Sequence, residues 1–203
     1  WMAGGAIDGG QRSNTSINDQ QRFLASLDGV IGGWDYQTGI SYNENKIKEI
    51  VSGYQDGVKI TQGLLNGVIN PFGPQDAAGA AFIKDAQMGG NLQNHKGKVT
   101  ALDARLSREL GDWMGAGRSV AVAVGAEFRK EDFISKANTP VATLLQASTG
   151  VDPTSLSEGN RNVTALYGEL SIPVNKMLEV TLAGRFDKYS DFGNTTNPKI
   201  GIR

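Results

Sequence analysis

The stretch LEVTLAGRFD, residues 178–187, decides how this chain folds. Its even-numbered positions carry apolar or small residues up to Phe186, whereas the odd-numbered positions include Glu179, Arg185 and Asp187. Alternation with a period of two residues predicts a β-strand with one face in an apolar medium and the other in water. Three charged residues on the water-facing side of so short a strand are many for a β-sandwich, but this number is normal for the interior of a membrane barrel.

Segments with the same alternation recur along the chain. We predict seven strands, at about 20–30, 34–46, 97–110 and 118–134, with three more inside 161–203. Residues 97–110 also place leucines at four-residue spacing, which fits an amphipathic helix. The strand is favoured there because the glycine-rich segment that follows makes a turn into a clearer strand.

The connections between these strands alternate in length. Those near residues 31, 114 and 174 are short, those at 49–96 and 135–160 are long, and the one at about 190–197 is moderate. Within the first long connection, residues 74–88 predict a short helix, because a proline tolerated in the first helical turn is followed by alanines. Long loops on one side of a sheet and tight turns on the other are typical of an up-and-down membrane barrel.

Composition agrees with a β protein. The 203 residues include 27 glycines, nearly twice average usage, and turn-rich β proteins use glycine more readily than helical domains do. The net charge of −1 gives no basic surface for nucleic acid, and the absence of cysteine excludes disulfides and thiolate metal sites. No apolar run reaches 18 residues, so a transmembrane helix is not expected. The chain opens on Trp1 and stops inside a strand, so we expect a segment of a longer protein.

Four short motifs in the last 43 residues stand in a recognisable order: IP at 172–173, GRFD at 184–187, SDFG at 190–193 and NPK at 197–199. Together they resemble the barrel of TonB-dependent outer-membrane receptors. Weaker matches, NPFG at 70–73 and VGAEFR at 124–129, extend the resemblance upstream. It implies that residues 1–203 all belong to the barrel domain, without the plug that fills its lumen.

The resemblance implies an all-β fold: an antiparallel up-and-down transmembrane barrel segment, about seven strands of roughly 22, with long extracellular loops. It also implies an outer-membrane receptor of a Gram-negative bacterium, in contact with membrane lipid. Such receptors bind a ferric siderophore, a vitamin or an oligosaccharide at the extracellular loops, and the TonB complex acts on them through the plug. A passive porin-like channel and a soluble carbohydrate-binding β domain remain as alternatives.

Catalysis and metal binding find little support in the sequence. His95 is the only histidine, so a Ser-His-Asp triad or a histidine-rich metal site is not expected. Glu131 and Asp132 are adjacent, which puts them on opposite faces of a strand, where they cannot cooperate as acid and base. We predict no enzyme activity, no metal site and no cofactor.

Two groups of residues are candidates for ligand binding. The first lies on the wet faces of consecutive predicted strands: Glu127, Arg129, Tyr167, Glu169, Arg185 and Asp187. These side chains can hydrogen-bond and pair with one another across neighbouring strands inside the barrel, or they can line the substrate path. The sequence leaves both possibilities open. The second group, Asn70 and Phe72, lies in the first long connection, because binding residues concentrate in loops on a rigid scaffold.

Overall fold

The computed structural model describes residues 11–203, apart from the side chains of 146–148. Seven strands and three helices make up this part of the chain. The strands are β1 Ser13–Ile31, β2 Trp34–Gln55, β3 Gln87–Glu109, β4 Ala121–Ala137, β5 Leu156–Pro173, β6 Glu179–Tyr189 and β7 Gly193–Ile202. The helices are α1 Gly57–Leu65, α2 Ala77–Asp85 and α3 Thr139–Thr149.

Each strand pairs with its neighbours along the chain, in the order β1-β2-β3-β4-β5-β6-β7. The strands are antiparallel and joined up and down, so the predicted fold class is confirmed. None of the helices in the described part of the chain is long and apolar enough to cross a membrane.

The registers of β5, β6 and β7 place like side chains on the same face. Leu182 stands opposite Leu170 on one side and Ile200 on the other, and Arg185 stands between Tyr167 and Asn197. We call the two sides the apolar face and the polar face. The apolar face consists of even-numbered positions of β4 to β7, including Val124, Phe128, Leu166, Leu170, Leu182, Phe186, Ile200 and Ile202. The polar face consists of the odd-numbered positions, including Glu127, Arg129, Tyr167, Glu169, Arg185 and Asp187.

Exposure on these faces is the reverse of that in a water-soluble protein. Leu166 on the apolar face is 59% exposed, whereas Asp187 on the polar face is 4% exposed. Charged residues are almost never fully buried in soluble proteins unless they are paired, and large apolar side chains usually gather inside. The polar face is therefore the packed one, and the apolar face needs an apolar surrounding.

Several predicted boundaries were wrong, in most cases because the strands are longer; β4 instead begins later than predicted, at Ala121. The connection predicted at 49–96 spans only 56–86, since β2 continues to Gln55 and β3 begins at Gln87. Likewise β1, β5 and β7 begin at Ser13, Leu156 and Gly193. Backbone hydrogen bonds continue the ladders into segments where polar residues stand on both faces, so side-chain alternation gives no signal there.

The helices were predicted incompletely. The helix predicted within 74–88 is confirmed as α2, but its N-cap is Asp76, whose carboxylate accepts the backbone N–H of Gly79, and Pro74 precedes the helix. Helix α1 was missed, although Asp56 caps it by accepting the N–H groups of Val58 and Lys59. Helix α3 was also missed, because 135–160 was predicted to be an irregular loop.

Residues 11–20, 45–97 and 133–158 form one compact unit, which we call the helical unit. Its buried core contains Val51, Tyr54, Leu92, Ala137, Ala142 and Leu145. An ideal Cβ on Gly57 in α1 would lie 3.2 Å from the carbonyl oxygen of Leu144 in α3, so the two helices approach closely. Lys59 of α1 donates to the Asp85 carboxylate of α2 at 2.8 Å. The connections are thus folded elements, and α3 shares a core with residues of β2, β3 and β4.

Residues 21–44, 98–132 and 159–203 form the second compact unit, which we call the strand unit. One glycine in it has a specific steric role. An ideal Cβ on Gly125 of β4 would lie 2.3 Å from Cζ of Tyr167 on β5, so the aromatic ring covers the bare backbone. Aromatic rings are known to stabilise glycines in sheets by packing over them.

We predict that Gly125→Ala destabilises the protein by about 1–3 kcal/mol, because the new methyl group must displace the Tyr167 ring. Gly184→Ala is the matched control, since an ideal Cβ at Gly184 on β6 meets nothing within 4 Å. Denaturant unfolding of both variants measures the difference. Equal stability of the two variants would contradict the proposed ring-on-glycine contact.

The turn between β3 and β4 is organised by one carboxylate. Asp112 accepts the backbone N–H groups of Met114, Ala116 and Gly117, at 3.3, 2.9 and 2.7 Å. The bonds from Gly117 and then Ala116 contribute most to lowering the pKa of Asp112 below its usual value. The ionised form therefore stabilises this turn.

We predict that amide protection at residues 114–117 depends on pH. Because the pKa of Asp112 is lower in the folded state, its contribution is present above the ordinary carboxyl pKa of about 3.9 and is lost as pH falls through the lowered value. Hydrogen exchange across this range, expressed as protection factors, measures the effect. Asp112→Ala should abolish the protection, whereas Asp191→Ala in the β6–β7 turn should leave it unchanged. Protection that persists in Asp112→Ala would refute the role of the carboxylate.

Candidate functional site

A continuous chain of ion pairs lies on the polar face of the strand unit, and we call it the arginine network. Its members alternate in charge in the order Arg161, Glu131, Arg129, Glu127, Arg185 and Asp187. They come from β4, β5 and β6, at alternate positions within each strand, which is why their side chains share a face.

The first half of the network joins β4 to β5. Arg161 Nε donates to Glu131 Oε2 at 2.5 Å, and Arg129 Nε lies 2.6 Å from Glu131 Oε1. The second contact is an ion pair whose angles are not those of a hydrogen bond. Arg129 Nη1 also donates to Glu127 Oε1 at 3.0 Å. Glu131 therefore bridges two guanidinium groups, and Arg129 bridges two carboxylates.

The second half joins β4 to β6. Arg185 Nη2 donates to Glu127 Oε2 at 3.0 Å, and Arg185 Nε donates to both oxygens of Asp187 at 2.9 and 3.1 Å. The Arg185 guanidinium also lies 5.7 Å from the centre of the Tyr167 ring, within the range of a cation–π contact. The Tyr167 ring therefore lies close both to the backbone of Gly125 on β4 and to the guanidinium of Arg185 on β6.

Burial differs between the two kinds of charge. The three guanidinium side chains are 31–38% exposed, whereas the three carboxylates are only 6–25% exposed. A buried carboxylate is costly unless it is paired, so the arginines compensate the acids. The arginines are thus the more exposed members of this neutral network, and guanidinium groups suit carboxylate, phosphate or carbonyl oxygens.

The structure brings five of the six predicted strand residues together. Glu127, Arg129, Tyr167, Arg185 and Asp187 lie in or against the arginine network. The sixth, Glu169, lies on the same face of β5 but outside the network. It lines a cavity of about 290 Å³ whose other polar members include Asp35, Arg105, Arg108, Glu109, Ser107 and Ser171.

Sequence reasoning missed two network members. Glu131 was considered only with its neighbour Asp132, although it stands two residues after Arg129 and so shares its face. Arg161 was placed at the boundary of a loop, but β5 begins at Leu156 and carries it opposite Glu131. The alternation rule could have found Glu131, whereas Arg161 needed the pairing of β4 with β5.

The predicted loop residues lie in the helical unit. Asn70 Oδ1 accepts the backbone N–H of Phe72 at 2.9 Å, and Gln75 accepts the N–H of Asn70 and donates to its carbonyl at 2.8 and 2.7 Å. These bonds fix a tight turn, and Phe72 is 90% exposed on it. An aromatic ring held this way is available for contact with a ligand at little cost in conformational entropy.

Metal chemistry has no support in this part of the molecule. Within residues 11–203, no group of three or more His, Cys, Asp or Glu side chains is placed to hold a metal ion. The arrangement can therefore position hydrogen-bond donors and an aromatic surface, and we assign it no chemical transformation.

Comparisons with known proteins agree with this fold. The sequence model of the family described as TonB dependent receptor-like, beta-barrel, matches residues 3–203. No curated protein matches the sequence.

Solved structures with a similar fold include the siderophore receptor PirA from Acinetobacter baumannii, with a TM-score of 0.55 and 13% identity over 93% of this chain and 23% of that one. The ferric enterobactin receptor PfeA from Pseudomonas aeruginosa, in a mutant form, has a TM-score of 0.55 and 11% identity over 93% and 23%. The RagAB peptide transporter has a TM-score of 0.50 and 10% identity over 94% and 20%.

At such low identity these similarities establish the fold alone. The chain spans less than a quarter of the length of each of these solved chains. The family match, by contrast, covers nearly every residue, including the strands that carry the arginine network. This chain belongs to the family of TonB-dependent receptor β-barrels.

Proposed function

We propose that this chain forms part of the barrel wall of an outer-membrane receptor that imports a scarce nutrient by TonB-dependent transport. The observation that carries the proposal is the reversed exposure of the strand unit, with leucine and phenylalanine outside and paired charges packed on the opposite face. A lipid-facing wall requires an apolar outer surface and accepts a polar interior. The membrane would be the outer membrane of a Gram-negative bacterium.

The apolar face supports the membrane assignment. Val124, Leu166, Leu182 and Ile200 lie on four different strands, and each is 41–74% exposed. A soluble monomer rarely leaves so continuous an apolar surface open to water. The soluble carbohydrate-binding alternative therefore gains no support, and no described feature favours a passive channel.

The polar face supports a role in the transport path. We propose that the arginine network and Glu169 line the lumen, where the ion pairs hold the wall together and the exposed guanidinium edges contact the passing nutrient. The resemblance to receptors implies a ferric siderophore, a vitamin or an oligosaccharide, and the transporter RagAB adds peptides to the classes to test. Coupling to TonB would run through a plug domain, which none of the described strands supplies.

The β2–β3 connection supports recognition at the outer surface. Its turn presents Phe72 on a rigid frame, and α1 and α2 of the same connection are held by the Lys59–Asp85 ion pair. Aromatic residues on rigid supports are frequent anchors in binding sites. We propose that Asn70 sets the turn and that Phe72 contacts the nutrient.

The membrane assignment predicts that the two faces respond differently to arginine. In the full-length receptor refolded into bilayers, Val124→Arg should lose about 2–4 kcal/mol of folding free energy, because it places a charge against lipid. Ala123→Arg is the matched control, since Ala123 borders the cavity of about 290 Å³ on the polar face and should tolerate the charge. Equal losses at both positions would reverse or abolish the face assignment.

The recognition assignment predicts that Phe72→Ala weakens nutrient binding by about 2 kcal/mol, or roughly thirty-fold, with the barrel still assembled. Uptake from a panel of labelled ferric siderophores, vitamins, oligosaccharides and peptides first identifies the nutrient that cells take up through the full-length receptor. Binding of that compound is then measured for Phe72→Ala and for Leu65→Ala, a control that is 81% exposed in the same connection. Unchanged affinity in Phe72→Ala would contradict this assignment and indicate that residues in the lumen recognise the nutrient.

A further inference from the structure

The two exposed methionines in the described part of the chain lie in turns at one end of the strand unit. Met114, in the β3–β4 turn, is 56% exposed, and Met177, in the β5–β6 turn, is 90% exposed. Met88 on β3 is half-buried in the helical unit, where it packs against the core. The fourth methionine, Met2, lies outside the described residues. Two thioethers are thus accessible and one is protected.

The β5–β6 turn fixes the backbone of Met177. Asn175 Oδ1 accepts the backbone N–H groups of Met177 and Leu178 at 2.8 and 2.9 Å. The N–H of Val174 also donates to the carbonyl of Leu178 at 2.8 Å. The turn is therefore closed by its own hydrogen bonds while the Met177 side chain extends into solvent. An oxidant reaches this sulfur without any unfolding of the turn.

The β3–β4 turn holds Met114 in a similar way and is joined to the β5–β6 turn. The N–H of Met114 donates to the Asp112 carboxylate, which organises this turn, at 3.3 Å. Arg118 Nη2 donates to the carbonyl of Asn175 at 3.3 Å, and Arg118 Nη1 donates to Glu179 at 2.9 Å. Both thioethers are therefore carried by ordered turns that one arginine links at the same end of the strand unit.

From this arrangement we infer that Met114 and Met177 form a reversible oxidation site. Hypochlorous acid converts each thioether to a sulfoxide, and a thiol-dependent methionine sulfoxide reductase restores it in the folded protein. The short turns of an outer-membrane barrel face the periplasm, so this is the compartment in which oxidant and reductase would meet the site. Only this location rests on the proposed membrane function, whereas the chemistry rests on the exposure of the two sulfurs.

Both directions of the reaction balance. The sulfur lone pair attacks the chlorine of hypochlorous acid and hydroxide leaves. Hydroxide then bonds to the sulfur, chloride leaves and the hydroxyl proton is lost, so sulfur is oxidised and chlorine is reduced to chloride. In the return direction a pair of reductase thiols is oxidised to a disulfide, and the sulfoxide oxygen leaves as water with the two thiol protons.

The site can carry a sulfoxide without losing the contacts that order it. Among the described residues, no hydrogen bond uses the sulfur of Met114 or of Met177, since both turns are held through backbone N–H groups. At Met88 the same polar oxygen would lie against the core of the helical unit, where an unpaired polar group is costly. Oxidation is therefore tolerated at the two turns and disruptive at the packed position.

The test treats the purified full-length receptor in detergent with limiting hypochlorous acid and follows each methionine by peptide mass spectrometry. In the folded receptor Met177 should be oxidised about ten-fold faster than Met88, with Met114 between them, because susceptibility follows exposure. In fully denatured receptor the three rates should converge. Equal rates in the folded receptor, or the same spread after denaturation, would overturn the inference.

Reversibility is measured on the same oxidised, folded receptor, with purified methionine sulfoxide reductases for both sulfoxide epimers and a thiol reductant. The added oxygen should be removed from Met114 and Met177. Met177→Leu should remove its share of reducible sulfoxide and leave the oxidation rate of Met88 unchanged, and Met88→Leu is the matched control, in which Met177 should react as in the wild type. Sulfoxide at the two turns that resists the reductases until the receptor is unfolded would refute the reversible site.

The outcome is separable from that of the proposed function. If the membrane assignment fails, Val124→Arg and Ala123→Arg will refold into bilayers equally well, whatever the order of the oxidation rates. If only the oxidation inference fails, the two arginine variants will differ as expected, and Met88 will react as fast as Met177 or the sulfoxides will persist.

Discussion

The whole structure depends on the register between neighbouring strands. Side chains in a strand alternate between two faces, so a shift of one residue in one pairing moves every side chain of that strand to the other face. In β6 such a shift would place Arg185 and Asp187 among the outward leucines and bring Phe186 into the arginine network. The ion pairs to Glu127 therefore oppose a slip on one face, while the continuous apolar surface opposes it on the other.

Sequence reasoning could reach the fold class because that same alternation is visible in β4 and β6, where one face meets an apolar medium. It could not reach the ends of the strands, since β2 and β3 continue beyond Lys46 and before Gly97 with polar residues on both faces. For the site, alternation placed Glu127, Arg129, Arg185 and Asp187 on one face in advance. Which partner each would find depends on cross-strand pairing, which one strand's pattern does not contain.

The missed helices have a related cause. Helices α1 and α3 are short, and their burial comes from packing rather than from a long amphipathic pattern. Helix α3 packs against Val51 and Leu92, and α1 packs against α3 and against Phe82 of α2. The cap at Asp56 was a readable local signal, but it was not used. Helix caps and contacts between residues distant in sequence together order these segments, although their composition alone predicts loops.

The neighbour order of the strands has a consequence for how the wall is made. Because each strand pairs with the next one in the chain, every pairing closes a loop of only a few to some tens of residues, and the entropy of closure rises only with the logarithm of loop length. Each finished hairpin leaves an edge with free backbone groups on which the following strand can add. A sheet of this kind can thus form by adding one strand after another along the chain. A closed barrel then needs only one pairing between strands distant in sequence, the pairing of its first and last strands.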